Sequence, residues 1–266
     1  MRSKCAILYS GGTDSTAAAA VMAQKFDEVH LVTFCEVATA NSPDPVDNIE
    51  RLRRAFSNVN FVVKKVSVDA NLKKLSYQKY FYYLFKYGLI NLSTPGLSSL
   101  SWHTCMISYC IKNQIQNVAD GLTRELMHFP GHQDFFVERA RELYRDFNID
   151  YSNPVREWPC SADFQFVHKL IIDFHLGERE VVAASTSDYL NKLKVFEKGN
   201  LKGSHADQKM QKDCYPFIVY NILVFWVSPV FQSRKKWQSA LERFFAEKFN
   251  DAKQMLIANQ IFDAGT

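Results

Sequence analysis

Glycine and proline are scarce in this chain, with 10 and 8 copies among 266 residues. Disordered and low-complexity segments are usually rich in these residues, and the sequence contains neither a low-complexity tract nor an internal repeat. Hydrophobic residues make up 47% of the chain and charged residues 23%, which are ordinary shares for a globular protein. We therefore expect a substantial buried core, in one large domain or in a core domain with an appendage.

Long hydrophobic runs are also missing. The longest apolar stretch, residues 215–231, is interrupted by Pro216, Asn221 and Pro229. Its length of about 17 residues is at the short limit for a membrane helix. We interpret it as buried core and expect no membrane partner. The first predicted strand follows Lys4 directly and leaves no room for a signal peptide, so the sequence predicts a cytoplasmic protein.

Neither sign of charge is in large excess, since the net charge is +4 and the pI is about 8.6. A dedicated nucleic-acid-binding domain is usually more basic and carries its charge on one stripe. The net charge therefore permits contact with nucleic acid without predicting it. We interpret the clearest basic run, residues 233–237, as the solvated start of a helix rather than an RNA contact.

The most informative motif is Ser-Gly-Gly-Thr-Asp-Ser at residues 10–15, between an apolar run at 5–9 and an alanine-rich segment at 16–23. A strand that breaks at two glycines and restarts as a helix directs several backbone N–H groups at one point. The helix N-terminus adds a partial positive charge. The pattern therefore predicts a phosphate site rather than a plain turn. It has neither the lysine ending of a Walker A loop nor the glycine spacing of a dinucleotide fold.

This motif resembles the PP-loop of the adenine-nucleotide α-hydrolase (ATP pyrophosphatase) superfamily. The resemblance implies that ATP is held by its pyrophosphate, that an acceptor oxygen is adenylated, and that a sulfur or nitrogen nucleophile then displaces AMP. In this fold class the adenine lies at the end of the second strand. The nucleotide-binding residues that the resemblance implies are Ser10, Gly11, Gly12, Thr13, Asp14, Ser15, Phe34, Asp120 and Gly121.

The first half of the chain alternates strands and helices, with β-branched runs at 28–34 and 60–66 and a helical segment at 46–56. This order predicts an α/β fold with a doubly wound (Rossmann-like, HUP-type) parallel sheet of about five strands. Right-handed crossovers place the 10–15 loop at the carboxyl edge of that sheet. We expect an ATP-binding domain at 1–130 and a mainly helical region, packed on it, at 131–266.

The segment at 72–90 has helical periodicity and an aromatic stripe, which we interpret as core rather than as a platform for stacking bases. Residues 91–101 contain a Pro-Gly pair and are predicted to form a loop that reaches over the nucleotide. A helix is predicted at 104–116, followed by a short strand at 118–121. The stripe consists of the aromatic residues Tyr77, Tyr80, Phe81 and Phe85 together with Leu84.

Six cysteines in a chain of this kind indicate free thiols, metal ligands or catalysis rather than a disulfide framework. Cys105 and Cys110, followed by a lysine and then by Asp-Gly, resemble the branch of the superfamily that contains the tRNA thiolation enzymes and 7-cyano-7-deazaguanine synthase. Three interpretations stay open: buried structural thiols, a catalytic or persulfide-carrying Cys105, or ligands of zinc or an iron–sulfur cluster together with Cys160, Cys214 or a histidine. A thiol at a helix start, where we place Cys105, has a lowered pKa.

The candidate catalytic residues are Asp14, Cys105 and Lys112. Asp14 repels a polyphosphate, so its expected use is as a Mg²⁺ ligand or as a helix cap. Lys112 and Lys65 are candidates for neutralising charge at the α-phosphate. The expected partners are ATP, an acceptor that is a tRNA base or a small molecule, a sulfur donor protein, and a second copy in a homodimer. A non-catalytic adenine-nucleotide sensor and an ammonia- or amine-dependent synthetase remain as alternatives.

Overall fold

The computed structural model describes residues 3–36, 46–124, 127, 129–158, 186–196 and 234–263. Its strands are β1 (Lys4–Leu8), β2 (Glu28–Cys35), β3 (Asn60–Ser67), β4 (Asn117–Asp120) and β5 (Asp150–Ser152). Its helices are α1 (Thr13–Ala23), α2 (Val46–Ala55), α3 (Asp69–Tyr77), α4 (Tyr80–Tyr87), α5 (Thr94–Asn113), α6 (Asp134–Arg145), α7 (Thr186–Lys192) and α8 (Arg234–Asp263).

The five strands form one parallel sheet in the order β3-β2-β1-β4-β5, which confirms the predicted α/β fold and its doubly wound sheet. Strand β1 is central, and its Ala6 lies opposite His30 of β2 and Val118 of β4. The chain moves outward from β1 to β3 and then returns to β4 on the other side. Ligands of such sheets bind at this switch point, outside the carboxyl ends of the strands.

Strand β1 and helix α1 follow from the local sequence. Residues Cys5, Ala6 and Ile7 are fully buried, as expected for a central parallel strand covered on both faces. Alanine is the best helix former, and the four alanines at 17–20 are all fully buried. Their small side chains let α1 lie close to the sheet, which fixes the position of the preceding loop.

Apolar side chains of alternate strand positions pack into two cores, one on each face of the sheet. The face covered by α1, α2 and α7 receives Cys5, Ile7, Val29, Leu31 and Ala119. The face covered by α5, α6 and α8 receives Ala6, Val32, Phe34 and Val118. This alternation is what buries both faces of the sheet and makes the fold doubly wound.

Helix α5 begins much earlier than predicted. It starts at Thr94 with Pro95 in its first turn, where proline is tolerated because the first helical amides need no intrahelical partner. The predicted loop at 91–101 is therefore wrong, because most of that segment is helical. Cys105 is the twelfth residue of α5, so its predicted place at a helix start is also wrong.

The aromatic segment at 72–90 forms two short helices rather than one, because the chain breaks at Lys79, which has a φ of 55°. The prediction that its aromatic stripe is core is wrong for three members. Tyr77 is 67% exposed, Phe81 71% and Phe85 87%. Tyr83, which lies on the opposite side of α4, is buried instead.

Strand β5 has three residues and was not predicted, yet it completes the sheet by pairing with β4. The division expected at residue 130 therefore falls between two strands of one sheet. Beyond it, the described chain contains α6, α7 and α8. No helix within the described ranges is long and apolar enough to cross a membrane. The stretch at 215–231, Cys160 and Cys214 lie outside the described residues.

Candidate functional site

The 10–15 loop lies at the carboxyl end of the central strand β1 and includes the first three residues of α1. Gly11 has a φ of 86°, a backbone conformation that only glycine adopts without strain. Its carbonyl oxygen accepts a hydrogen bond from the side-chain amide of Asn48 on α2 at 2.8 Å. Asn48 is fully buried, so this contact ties the loop to the next helix of the fold. The sequence alone gave no signal for Asn48.

Hydroxyl groups within the loop hold its conformation. The hydroxyls of Ser10 and Ser15 are 3.0 Å apart, and the backbone N–H of Gly12 donates to Ser10 Oγ at 3.3 Å. Ser15 Oγ and Thr16 Oγ1 both donate to the carbonyl of Gly12, at 3.1 and 2.8 Å. Since the first amides of a helix point out of its N-terminus, the first turn of α1 directs its N–H groups to the carboxyl edge of the sheet.

Asp14 sits half-buried in the first turn of α1, where a carboxylate interacts favourably with the helix dipole. Its Oδ1 accepts a hydrogen bond from the hydroxyl of Thr186 at 2.7 Å. Thr186 begins α7 and is buried, as is the neighbouring Ser187. The contact joins residues 172 positions apart, and sequence reasoning missed it because nothing local marks Thr186 as a partner of the loop.

Gly121, which follows β4, presses directly against the N-terminus of α1. A Cβ atom on this glycine would lie 2.4 Å from the backbone nitrogen of Ser15 and 2.5 Å from the carbonyl carbon of Asp14. Only a residue without a side chain permits this approach. The structure therefore brings Gly121 to the loop.

The preceding residue, Asp120, faces inward. Its carboxylate accepts hydrogen bonds from the hydroxyl of Tyr151, from Asn153 Nδ2 at 2.8 Å and from the backbone N–H of Leu122 at 3.0 Å. Burial, which disfavours the charged form, raises the pKa of Asp120. Asp120 therefore holds the turn that carries Gly121, and its side chain is engaged on β5 and the loop after it.

At the end of β2 the predicted residue Phe34 is buried and packs into the core beneath α5. Two residues further on, the buried carboxylate of Glu36 accepts hydrogen bonds from α5. The donors are the indole N–H of Trp102 at 2.6 Å and the hydroxyl of Ser98 at 3.1 Å. The end of β2, where an adenine is expected, is thus tied to the N-terminal half of α5, a link that the sequence did not predict.

Cys105 has the environment of a structural thiol. It is 8% exposed, and its sulfur accepts a hydrogen bond from the side-chain amide of Asn71 on α3 at 3.0 Å. Burial raises the pKa of Cys105 to about 11, and it raises that of the fully buried Cys110 to about 12. The lowered pKa that a helix start was expected to give Cys105 is therefore not found.

The other predicted residues do not gather at the loop. Lys112 is exposed in the last turn of α5, next to the amino end of β4 and thus at the opposite edge of the sheet. Lys65 is exposed near the carboxyl end of the outer strand β3. Within the described ranges no three His, Cys, Asp or Glu side chains are placed to hold a metal ion together. Cys160 and Cys214, the two further candidate ligands, are outside those ranges.

Alkylation tests the state of Cys105. Because its pKa is raised to about 11, little thiolate forms at pH 8, and iodoacetamide should label Cys105 more slowly in the native chain than in urea. Labelling should accelerate as the pH rises towards the pKa. Peptide mapping after timed quenching measures both rates. Rapid native labelling at pH 8, with loss of turnover but not of ATP binding in Cys105→Ser, would instead support a sulfur-carrying thiol.

The chain belongs to a family of unknown function, DUF7411, whose model matches residues 3–212. It is similar to the solved structure of a predicted tRNA methyltransferase subunit from Methanocaldococcus jannaschii, with 18% identity and a TM-score of 0.37 over 79% of this chain and 92% of that one. It is also similar to the U34-tRNA thiolase NcsA from Methanococcus maripaludis with its [4Fe-4S] cluster, with 11% identity and a TM-score of 0.32 over 90% and 72%. No curated protein matches the sequence.

Proposed function

We propose that this protein is an ATP pyrophosphatase that activates an acceptor as its adenylate and releases pyrophosphate. The observation that carries the proposal is the conformation of the 10–15 loop at the switch point of the sheet. Its glycine at φ 86° and its serine hydroxyls shape a turn that ends in a helix N-terminus, where anions bind. Gly121 backs this turn from the neighbouring strand.

The loop favours binding of the two terminal phosphates as a unit. Backbone amides of the first turn of α1 provide donors at fixed positions, and the hydroxyls of Ser10 and Ser15 lie beside them. The loop has no lysine that could reach the γ-phosphate. Holding the β- and γ-phosphates in this way leaves the α-phosphorus open to in-line attack by an acceptor oxygen.

Asp14 suits a magnesium ion, because Mg²⁺ prefers oxygen ligands and is usually bound by one or two carboxylates together with phosphates. Such an ion would neutralise charge on the polyphosphate as the α–β bond breaks. The hydroxyl of Thr186 fixes Asp14 Oδ1 and so orients the carboxylate. In this arrangement Asp14 binds the ion, and Thr186 acts as a positioning residue.

For the second step we propose that an external nucleophile, sulfur or nitrogen, displaces AMP. The burial and raised pKa of Cys105 favour an outside source, such as a sulfur donor protein, ammonia or an amine, over transfer through this thiol. The acceptor class is a nucleic-acid base, such as one in tRNA, or a small molecule. The described cysteines do not themselves make a set of metal ligands.

The test is the product of ATP cleavage. With [α-³²P]ATP, Mg²⁺ and a total RNA fraction plus sulfide or ammonium, the protein should form AMP and pyrophosphate and no ADP. Gly12→Val should lose ATP binding, because the new side chain blocks the loop. The variant should fold normally, because the backbone at Gly12 is ordinary extended chain and its Cβ would meet only Ser10 Oγ at 3.5 Å. ADP and phosphate as the only products would refute the proposal, and ATP binding without any cleavage would indicate a sensor.

A further inference from the structure

Helix α4 presents aromatic side chains to solvent, an arrangement that large apolar residues normally avoid. Phe81 and Phe85 are 71% and 87% exposed, and their spacing of four places them on one face of the helix. Tyr77 and Tyr82 are exposed beside them. We call these four residues the aromatic surface. Exposed patches of this kind usually mark a binding site for another molecule.

The half-buried ring of Tyr80 lies between the rings of two members of this surface, Tyr77 and Phe81. The ring centroids of Tyr77 and Tyr80 are 6.2 Å apart, and those of Tyr80 and Phe81 are 5.7 Å apart. The ring of Tyr82 lies 5.0 Å from the ammonium group of Lys86, a cation–π distance. The exposed rings of Phe81 and Phe85, with a cation close to the neighbouring Tyr82, offer faces on which flat partners can stack.

The segment that carries the aromatic surface is basic. Residues 70–92 contain four lysines and no acidic residue. Two of the lysines are paired with acids of α8, Lys79 with Asp251 at 2.9 Å and Lys86 with Glu247 at 2.6 Å. The other two, Lys73 and Lys74 on α3, are exposed, and no described acidic side chain pairs with them. The excess charge is therefore positive, which favours an anionic partner over a second copy of the same basic surface.

The helices that carry the aromatic surface are connected by the chain to the edge of the sheet where the proposed ATP site lies. Helix α3 starts at Asp69, directly after the carboxyl end of β3, and α4 leads into the N-terminus of α5. That end of α5 carries Ser98 and Trp102, which bind Glu36 at the carboxyl end of β2. A molecule on α3 and α4 would therefore contact helices that are joined at both ends to the edge of the sheet at which ATP is expected.

We propose that the aromatic surface binds single-stranded nucleic acid, with bases stacked on Phe81 and Phe85 and phosphates contacting Lys73 and Lys74. Stacking on aromatic rings beside a basic track is how proteins bind single strands without reading their sequence. The role of this strand as the carrier of the acceptor base rests on the proposed function. The binding itself does not require ATP.

Fluorescence anisotropy with a labelled single-stranded RNA of mixed sequence, without nucleotide, tests the surface. Phe81→Ser with Phe85→Ser should weaken binding by at least about tenfold, because each stacked base contributes measurably to affinity. Ile111→Ser, a change of an exposed side chain (38%) near the far end of α5, is the matched control and should bind normally. Lys73→Gln with Lys74→Gln should reduce the slope of log affinity against log salt by about 1.4.

Equal RNA affinity in the wild type and in the Phe81→Ser, Phe85→Ser variant would overturn this proposal. The proposal would also be wrong if the wild type does not bind RNA but forms a dimer in sedimentation velocity and the same double variant is monomeric. The aromatic surface would then be the contact between two copies of the chain. Far-ultraviolet circular dichroism checks that the variants are folded. If the protein binds RNA at this surface but never forms AMP, the proposed RNA-binding surface is supported and the proposed pyrophosphatase activity is refuted.

Discussion

Gly121→Ala is expected to lower AMP formation by about a hundredfold or more, the loss that a misplacement of about 1 Å at a reactive site can cause. The added Cβ would stand 2.4 Å from the backbone nitrogen of Ser15, far closer than atoms of this kind approach. Its other near neighbours are the carbonyl carbon of Asp14 and the Cα of Ser15. Because all three are backbone atoms, no flexible side chain can give way, and the N-terminal turn of α1 must move.

Gly88→Ala is the matched control for this prediction. Gly88 has a φ of +57°, and a Cβ there would meet nothing within 4 Å. With its ψ of −132°, Gly88 lies in a backbone region that residues with a side chain rarely adopt, so the change costs about 1–3 kcal/mol of strain. It does not touch the loop, so ATP binding should stay normal. Isothermal calorimetry with ATP and the rate of AMP formation, both below the melting temperature of each variant, separate the two effects. Wild-type ATP affinity and turnover in Gly121→Ala would mean that the loop tolerates displacement and is not the phosphate site.

The parts of the fold that the sequence predicted are those with local causes. Strands β1, β2 and β3 are apolar or β-branched runs, and the loop at 10–15 is defined by its own glycines and serines. Such signals need no knowledge of distant residues. The start of α5 was missed because Thr-Pro-Gly has two local interpretations. Proline and glycine are typical of turns, but proline is also favoured in the first turn of a helix.

The partners of the candidate site were not predictable, because each depends on tertiary packing. Asn48 is 37 residues from its hydrogen-bond partner Gly11, and Thr186 is 172 residues from its partner Asp14. The exposure of the aromatic surface also depends on tertiary packing and could not be predicted. Periodicity showed that Phe81 and Phe85 share a helical face, but it could not show whether that face packs against the sheet. The structure assigns the buried side of α4 to Tyr83, whose hydroxyl donates to Asp251 at 2.5 Å.

Asp14→Asn should reduce the rate of AMP formation by about two orders of magnitude, equivalent to about 2.7 kcal/mol of lost transition-state stabilisation. Asparagine retains an oxygen that can accept the hydrogen bond from the hydroxyl of Thr186, so the contact with α7 is kept while the negative charge is removed. The Mg²⁺ concentration for half-maximal rate should rise. Binding of metal-free ATP should stay equal or improve, because the carboxylate no longer repels the phosphates.

Thr186→Val makes the complementary change, since it keeps the Asp14 charge and deletes the hydroxyl that orients it. We expect a smaller loss, about tenfold, as is typical when a group that orients a metal ligand is removed, and Thr186→Ser should restore most of the rate. Turnover titrated against Mg²⁺ in the three variants provides the comparison. If Asp14 serves only as a favourable charge at the start of α1, Asp14→Asn will lower the melting temperature slightly. In that case its Mg²⁺ dependence will match that of the wild type, and the assignment of Asp14 to the metal will be wrong.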